Sequence, residues 1–301
     1  MNKWWIYQRE RFPILAHGPL IAAFSLSAVS FSALLRGSIH FPDWRSCLVA
    51  FITSLFFFLQ LRIADEFKDF EEDSLYRPYR PVPRGLISLR ELGWLWALTA
   101  AIQAGLALWL KPALIWVLAI AWAYLFLMTQ EFFARDWLKA RPVTYLWTHM
   151  LIMPLVDLYA TACDWTVAGA SLPRGLIWFL IVSFFNGIVI EIGRKIRAPQ
   201  DEEPGVPTYS AQWGAATSIR AWLLILVATA ASASIAATHI SFARPILLLL
   251  TLLVGLALII SLSFLRSPKS GKRFELFAGV WTLTMYLALG AVPMLIRTLC
   301  Q

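Results

Sequence analysis

The sequence predicts an all-α, polytopic membrane protein. It reads as one domain over 1–301, a bundle of nine transmembrane helices with a cytoplasmic amino terminus and an outer carboxyl terminus. Three observations carry this. Of the 301 residues, 59% are hydrophobic and only 15% charged, with 15 Trp and 20 Phe. A soluble domain carries about 25% charge and about half apolar residues. Apolar runs of the length a bilayer requires, about 17 to 25 residues, recur near 13–35, 46–66, 91–110, 113–133, 143–163, 175–196, 217–238, 245–265 and 275–297. Finally, Lys and Arg alternate in density from one inter-run segment to the next. Twenty fall on the amino-terminal side, in 1–12, 62–90, 134–142, 194–220 and 266–273, and six on the other. Basic residues concentrate on the cytoplasmic side of membrane proteins, so this split sets both the count and the direction.

In chain order, the polar, basic start up to Arg11 precedes a first run too long for the apolar region of a typical secretory signal. No cleavable signal is therefore expected. The second run leads directly into a cluster of carboxylates. Lys111-Pro112 alone separates the third and fourth runs and reads as a tight turn. The fifth carries His149 and Asp157. Eight residues apart, they lie ~80° apart around a helix, which suits a role in acceptor binding, a structural hydrogen-bonded pair or isolated polar contacts. Gln103, Gln130, Glu131 and Asn186 read as polar contacts between helices. The sixth run ends in Glu191-Ile-Gly-Arg194-Lys195-Ile-Arg197, with acid returning at Asp201 to Glu203. No linker or separate soluble domain is visible. Cys47, Cys163 and Cys300 form no CxxC and have no His at zinc spacing, so they read as packing residues. The net charge of +8 follows from the one-sided basic loops. With no basic patch interleaved with aromatics, no nucleic-acid partner is expected.

Residues 62–90 carry the strongest chemical signal. Asp65, Glu66, Asp69, Glu71, Glu72 and Asp73 fall within nine positions. Asp65, Asp69 and Asp73 are four apart, so a helix brings them onto one stripe within ~80°, with Arg62 on the same side. Carboxylates stacked this way repel one another unless a cation lies between them. Arg77, Arg80 and Arg84, interleaved with prolines, follow as a basic, non-helical loop. The stretch also reads as the solvated end of an apolar helix. The spacing, the apolar lead-in and the adjoining arginines favour a metal-plus-phosphate site.

At these residues the chain resembles the UbiA-type intramembrane prenyltransferases. Asp65-Glu66-x-x-Asp69-x-x-x-Asp73 matches that family's Asn-Asp-x-x-Asp-x-x-x-Asp motif in spacing. Arg80-Pro-Val-Pro-Arg84-Gly85 matches its Arg-Pro-Leu-Pro-x-Gly loop phrase, and Arg11-Phe12-Pro13 is similar to its start. The second acidic motif departs from the family pattern, with Glu191 followed by Arg194, Lys195 and Arg197. Thr208 to Gly214 resembles the family phrase that closes this region and aligns Asp201 with the motif's last Asp.

The resemblance implies active-site loops near 66–90 and 194–216 on the cytoplasmic face of an integral, multi-pass membrane protein. It implies a prenyl diphosphate donor held through Mg²⁺ by Asp65, Glu66, Asp69, Asp73, Glu191 and Asp201. Asp69, Asp73 and Arg62 are then the candidate catalytic residues, and Lys68, Arg77, Arg80, Lys139, Arg194, Lys195 and Arg197 the candidate diphosphate ligands. Mg²⁺ takes a few carboxylates together with diphosphate oxygens. Metal and arginines neutralise the leaving diphosphate and favour ionisation to an allylic cation, which a small-molecule acceptor, expected to be aromatic, attacks. Within the superfamily the alternatives are a membrane terpene cyclase or a polyprenyl-phosphate pentosyltransferase. From a different class comes a transporter, against which the acids cluster at one face rather than at the midplane.

Overall fold

A computed structural model describes residues 2–203 and 205–300, and among them it contains helices and turns but no strand. The order is α1 (Lys3–Arg11), α2 (Ile14–Leu35), α3 (Trp44–Lys68), α4 (Phe70–Tyr76), α5 (Leu89–Leu110), α6 (Leu114–Thr129), α7 (Arg135–Lys139) and α8 (Pro142–Met150). After these come α9 (Ile152–Trp165), α10 (Leu176–Arg194), α11 (Tyr209–Trp213), α12 (Ala215–His239), α13 (Ala243–Arg266), α14 (Lys272–Leu289) and α15 (Ala291–Leu299). Eight stretches among the described residues are long and apolar enough to cross a membrane, two of them made of helix pairs, Pro142–Trp165 and Lys272–Leu299. The 16-residue α6 occupies the fourth expected run and is shorter than the others.

Both helix pairs break where the sequence supplies a cause. Pro154 cannot donate to the Met150 carbonyl, and α8 ends at Met150. Pro293 follows Gly290, where α14 ends. Gly290 also lies against α2, so a Cβ there would sit 2.1 Å from the Ser27 carbonyl oxygen. That neighbour is backbone and cannot swing away. Gly290→Ala is therefore expected to destabilise the protein by about 1–3 kcal/mol, read as a lower Tm in detergent. An unchanged Tm contradicts this close approach.

The core fills the space between α2, α9, α10, α12 and α14. Phe31 stacks on Phe179 with centroids 4.6 Å apart, and Phe24 meets Tyr286 edge-on at 4.8 Å. Trp222 is fully buried and donates Nε1–H to the Val189 carbonyl at 3.1 Å, joining α12 to α10. Gln103 is a packing contact, as expected. It accepts from Gln60 at 2.9 Å and Trp122 at 3.1 Å and donates to the Thr53 carbonyl at 3.0 Å, so α3, α5 and α6 share one polar knot. His149 and Asp157 do not pair: the break after Met150 puts them on different helices, and Asp157 accepts from Tyr286 at 2.8 Å instead.

The two ends of the bundle differ. At one end, Arg36 grips Asp164 through two hydrogen bonds of 2.9 and 2.6 Å, Ser32 donates to the same carboxylate, and Arg297 donates to the Ile240 carbonyl. These bonds tie α2 to α9 and α15 to the end of α12. The other end carries both charged regions read from the sequence. There α1 lies across the bundle, an element the sequence reading left as a polar start. Asn2 caps it by accepting from the Trp4 N–H at 3.0 Å. Tyr7 packs with Ile63, Val82, Ile87 and Leu92 in a second apolar cluster beneath the 77–88 loop. Three ion pairs hold α1 in place: Lys3 with Glu91, Glu10 with Arg84 and Arg11 with Glu66.

Candidate active site

The first acidic region forms because the apolar run of α3 continues helical hydrogen bonding past its end. Asp69 N–H donates to the Asp65 carbonyl at 2.9 Å, and Asp73 N–H to that of Asp69 at 2.8 Å. Asp69 itself sits at the junction of α3 and α4, with φ −98° and ψ 7°. The expected stripe is thus a helix with a joint at its middle carboxylate. Its members have different partners. Asp73 is buried and takes Arg77 Nη1 at 2.9 Å together with Arg80 Nη1, so it folds the basic loop back onto α4. Glu66 is buried against Arg11. Asp65 lies 3.4 Å from Arg62. Glu72 pairs with Lys139 at 2.6 Å, and that hydrogen bond holds its carboxyl below the usual range.

Asp69 is the exception. It is partly buried, and its carboxylate makes no hydrogen bond or ion pair among the described residues. Burial pushes this carboxyl above the usual carboxylate range; Lys68 pulls the other way, while the charges of Asp65, Asp73 and Glu72 add to the rise. A cation placed here would relieve both the burial and the crowding.

Lys68, the last residue of α3 and an expected diphosphate ligand, is held by interior partners. Its Nζ donates to Tyr145 Oη at 2.7 Å and lies 4.0 Å from Glu131 Oε1. Tyr145 Oη in turn lies 3.3 Å from the same Glu131 oxygen, and Arg135 approaches its other oxygen at 3.5 Å. Glu131 is buried, brought there by a turn in which Glu131, Phe132 and Phe133 all have positive φ, 48°, 55° and 57°. Each such residue costs about 1–3 kcal/mol and persists only where its surroundings impose it. Sequence reasoning gave Glu131 to helix packing and overlooked Tyr145. The available signal was Glu131 four residues before Arg135, at the end of an apolar run.

The second region faces the first across the same end. Glu191 bonds Arg194 at 2.6 Å and Lys195 at 2.8 Å, and the charge of Asp65 reaches Arg194. Lys195 lies over the ring of Tyr209, 5.5 Å from its centroid. Burial pushes the Tyr209 hydroxyl up, with the Glu191 charge adding to it. Arg197 donates to Glu203 at 2.9 Å and to the Asp201 carbonyl at 3.2 Å. Thr208 and Ser210 both donate to Glu202 at 2.8 Å and close the loop on itself. Asp201 lines a groove of about 340 Å³ between this loop and the start of α14, shared with Arg194, Arg197, Glu203, Lys272 and Glu275.

The structure thus brings Asp65, Asp69, Lys68, Glu191, Arg194 and Lys195 to one end, and draws Arg77 and Arg80 in through Asp73. It turns Glu66 to Arg11 and Lys139 to Glu72. Among the described residues, no three His, Cys, Asp or Glu side chains gather closely enough to hold a metal ion unaided. The donor set still suits Mg²⁺, which keeps several waters and is held by one or two carboxylates plus substrate phosphates.

Comparison with known proteins agrees with this architecture. The chain matches the model of the UbiA prenyltransferase family over residues 11–290. No curated protein sequence matches it significantly. Among solved structures it is similar to a UbiA homologue from Aeropyrum pernix K1, at 13% identity and a TM-score of 0.67, covering 92% of this chain and 97% of that one. A structure described as digeranylgeranylglyceryl phosphate synthase aligns over 100% of both chains at 16% identity and a TM-score of 0.62. A UbiA homologue from Archaeoglobus fulgidus bound to DMAPP and Mg²⁺ aligns over 95% of this chain and 99% of that one, at 14% identity and a TM-score of 0.55. At these identities the structural matches establish the fold, and the family match establishes membership: this chain belongs to the UbiA prenyltransferase family.

Proposed function

We propose that the protein transfers a prenyl group from a polyprenyl diphosphate to an aromatic acceptor within the membrane, with Mg²⁺ as cofactor. The observation that carries this reading is Asp69: a partly buried, unpartnered carboxylate beside Lys68 and Asp65, the latter close enough for its charge to reach Arg194 of the second, basic region. The Archaeoglobus homologue that holds DMAPP and Mg²⁺ supports the choice of ligand. Asp69 with Asp65 would hold the metal, and the metal would supply positive charge to the departing diphosphate. Around it, Lys68, Arg194 and Lys195 donate charge-assisted hydrogen bonds to diphosphate oxygens. Tyr145 and Glu131 fix the direction of Lys68. Asp73 holds Arg77 and Arg80 where they can close over the same anion. Arg62 sits beside Asp65 and moderates its charge. Arg197, committed to Glu203, shapes the second loop, and Lys139 becomes available to the donor only by leaving Glu72.

The direct test supplies geranyl diphosphate, Mg²⁺ and membrane extract to the purified protein and seeks a prenylated product by mass spectrometry. Geraniol alone, from hydrolysis, or an intact donor refutes transfer. A cyclised hydrocarbon without an acceptor selects the cyclase alternative.

In this reading Glu191 positions Arg194 and Lys195, whereas the family motif makes it a metal ligand together with Asp201. The two roles separate in one variant. As a positioning residue, Glu191→Gln lowers donor affinity and Tm and leaves the Mg²⁺ concentration for half-maximal activity unchanged. A raised Mg²⁺ requirement, rescued by excess metal, makes it a ligand. Orientation is tested by single cysteines in a background lacking Cys47, Cys163 and Cys300. A cysteine at Ser74 is expected to label from the cytoplasm and one at Ser38 from outside. Outside labelling at Ser74 reverses the topology.

A further inference from the structure

The interior of the bundle holds a base that the donor site does not use. His149 lies on α8, one turn beyond Tyr145, and is 6% exposed. Its Nδ1 lies 2.9 Å from the Tyr145 carbonyl oxygen. A carbonyl only accepts, so Nδ1 carries the hydrogen. Thr148 Oγ1, 3.4 Å from Nδ1, already donates to the Thr144 carbonyl and can likewise only accept from it. In the neutral ring the lone pair is therefore on Nε2. That atom is buried and has no hydrogen-bond partner among the described residues. Buried polar atoms in native proteins nearly always have one.

The ring is held in place. Tyr145 stacks on it at 3.8 Å with planes 12° apart, and Phe132 meets it edge-on at 6.1 Å. The charged groups that reach it are Lys68 from α3, Glu191 from α10 and Lys195 just after it, all members of the donor site. Across the seam between α8 and α10, a Cβ at Gly187 would crowd the side chain of Met150, which follows His149 in sequence. The residue before Gly187, Asn186, is fully buried with both side-chain amide atoms unpartnered. Trp147 meets Phe184 on the same seam at 5.2 Å. Two buried polar side chains with unpartnered atoms, His149 on α8 and Asn186 on α10, thus lie on helices that pack against each other.

We propose that His149 Nε2 accepts a hydrogen bond from the hydroxyl of the aromatic acceptor and so decides which acceptors the enzyme takes. This rests on the prenyl-transfer reading and adds the acceptor's chemistry to it. The lone pair requires a donor, which excludes acceptors that offer only carbonyl or ether oxygens. Lys68 and Lys195 nearby, and the depth in the membrane, disfavour a cationic donor. A neutral phenol satisfies both conditions and places its ring beside Tyr145 and Phe132, the two aromatic rings that meet His149.

The test is binding of 4-hexylphenol and of its methyl ether to the full chain in nanodiscs, corrected for empty nanodiscs. Wild-type protein is expected to prefer the phenol by about 10-fold, the scale of one hydrogen bond whose loss leaves a buried partner unsatisfied. His149→Phe keeps the ring and its stacking, and it should bring the two affinities within about 2-fold of each other. Binding of geranyl diphosphate with Mg²⁺ should stay unchanged. His149→Gln retains an acceptor and should recover part of the preference, which a purely structural role would not produce. Equal binding of phenol and ether to wild-type protein, or an undiminished preference in His149→Phe, overturns the inference; if that variant fails to fold, the wild-type ratio and His149→Gln decide it. A phenol preference in a protein that releases no diphosphate leaves this inference standing and sinks the transfer reading, and diphosphate release without the preference does the reverse.

Discussion

Asp69→Asn is expected to lower the rate of diphosphate release by at least about 100-fold, on the scale of losing one preorganised electrostatic contact to the transition state. The substitution keeps the shape of the side chain and removes its charge. Asp69 has no structural partner to lose, so folding should be unaffected or slightly improved, since burial and the neighbouring carboxylates already oppose its ionisation. Glu71 is the control: two residues away, it is exposed and makes no ion pair among the described residues. Glu71→Gln should change the rate by less than about 2-fold, as for a surface charge free of contacts. Comparable losses in the two variants would mean that general negative charge, and not the position of Asp69, attracts the metal.

Glu66→Gln should do the opposite, costing about 3–5 kcal/mol of stability by leaving Arg11 buried without its counter-charge. Arg11 belongs to α1, and with Glu66 neutral the clasp formed by Lys3–Glu91, Glu10–Arg84 and Arg11–Glu66 loses its most buried member. Denaturant titration in detergent measures the loss. The Mg²⁺ requirement of whatever folded protein remains should match wild type. A raised Mg²⁺ requirement with stability intact would make Glu66 a metal ligand, as its place in the family motif implies, and would detach α1 from the site.

These two variants mark how far the sequence could be read. The spans were legible because a bilayer demands length and apolarity, and both are printed in the chain. Asp65, Asp69 and Asp73 were legible because four-residue spacing places side chains on one helical face in any context. Their partners were not. Whether a carboxylate meets a metal or an arginine depends on chain far away, and Glu66 is separated from Arg11 by two spans, α2 and α3. The clasping role of α1 depends on Arg84 and Glu91 in the same way. Glu131 was assigned to packing because nothing in Glu131-Phe132-Phe133 signals left-handed backbone; no glycine or asparagine marks the turn. Tyr145 became visible only when that turn set Glu131 beside it. The His149 and Asp157 pairing failed because Pro154 breaks the helix that ~80° of separation presumed.

The central claim, that the acidic and basic regions at one end of the bundle ionise a prenyl diphosphate, is tested most directly by diphosphate release from geranyl diphosphate by purified protein supplied with membrane extract as the source of acceptor. Release should require Mg²⁺, stop with EDTA, resume when Mg²⁺ is restored, and be nearly absent in Asp69→Asn. No release under any condition, as a transporter would give, or release that persists in Asp69→Asn, would contradict it.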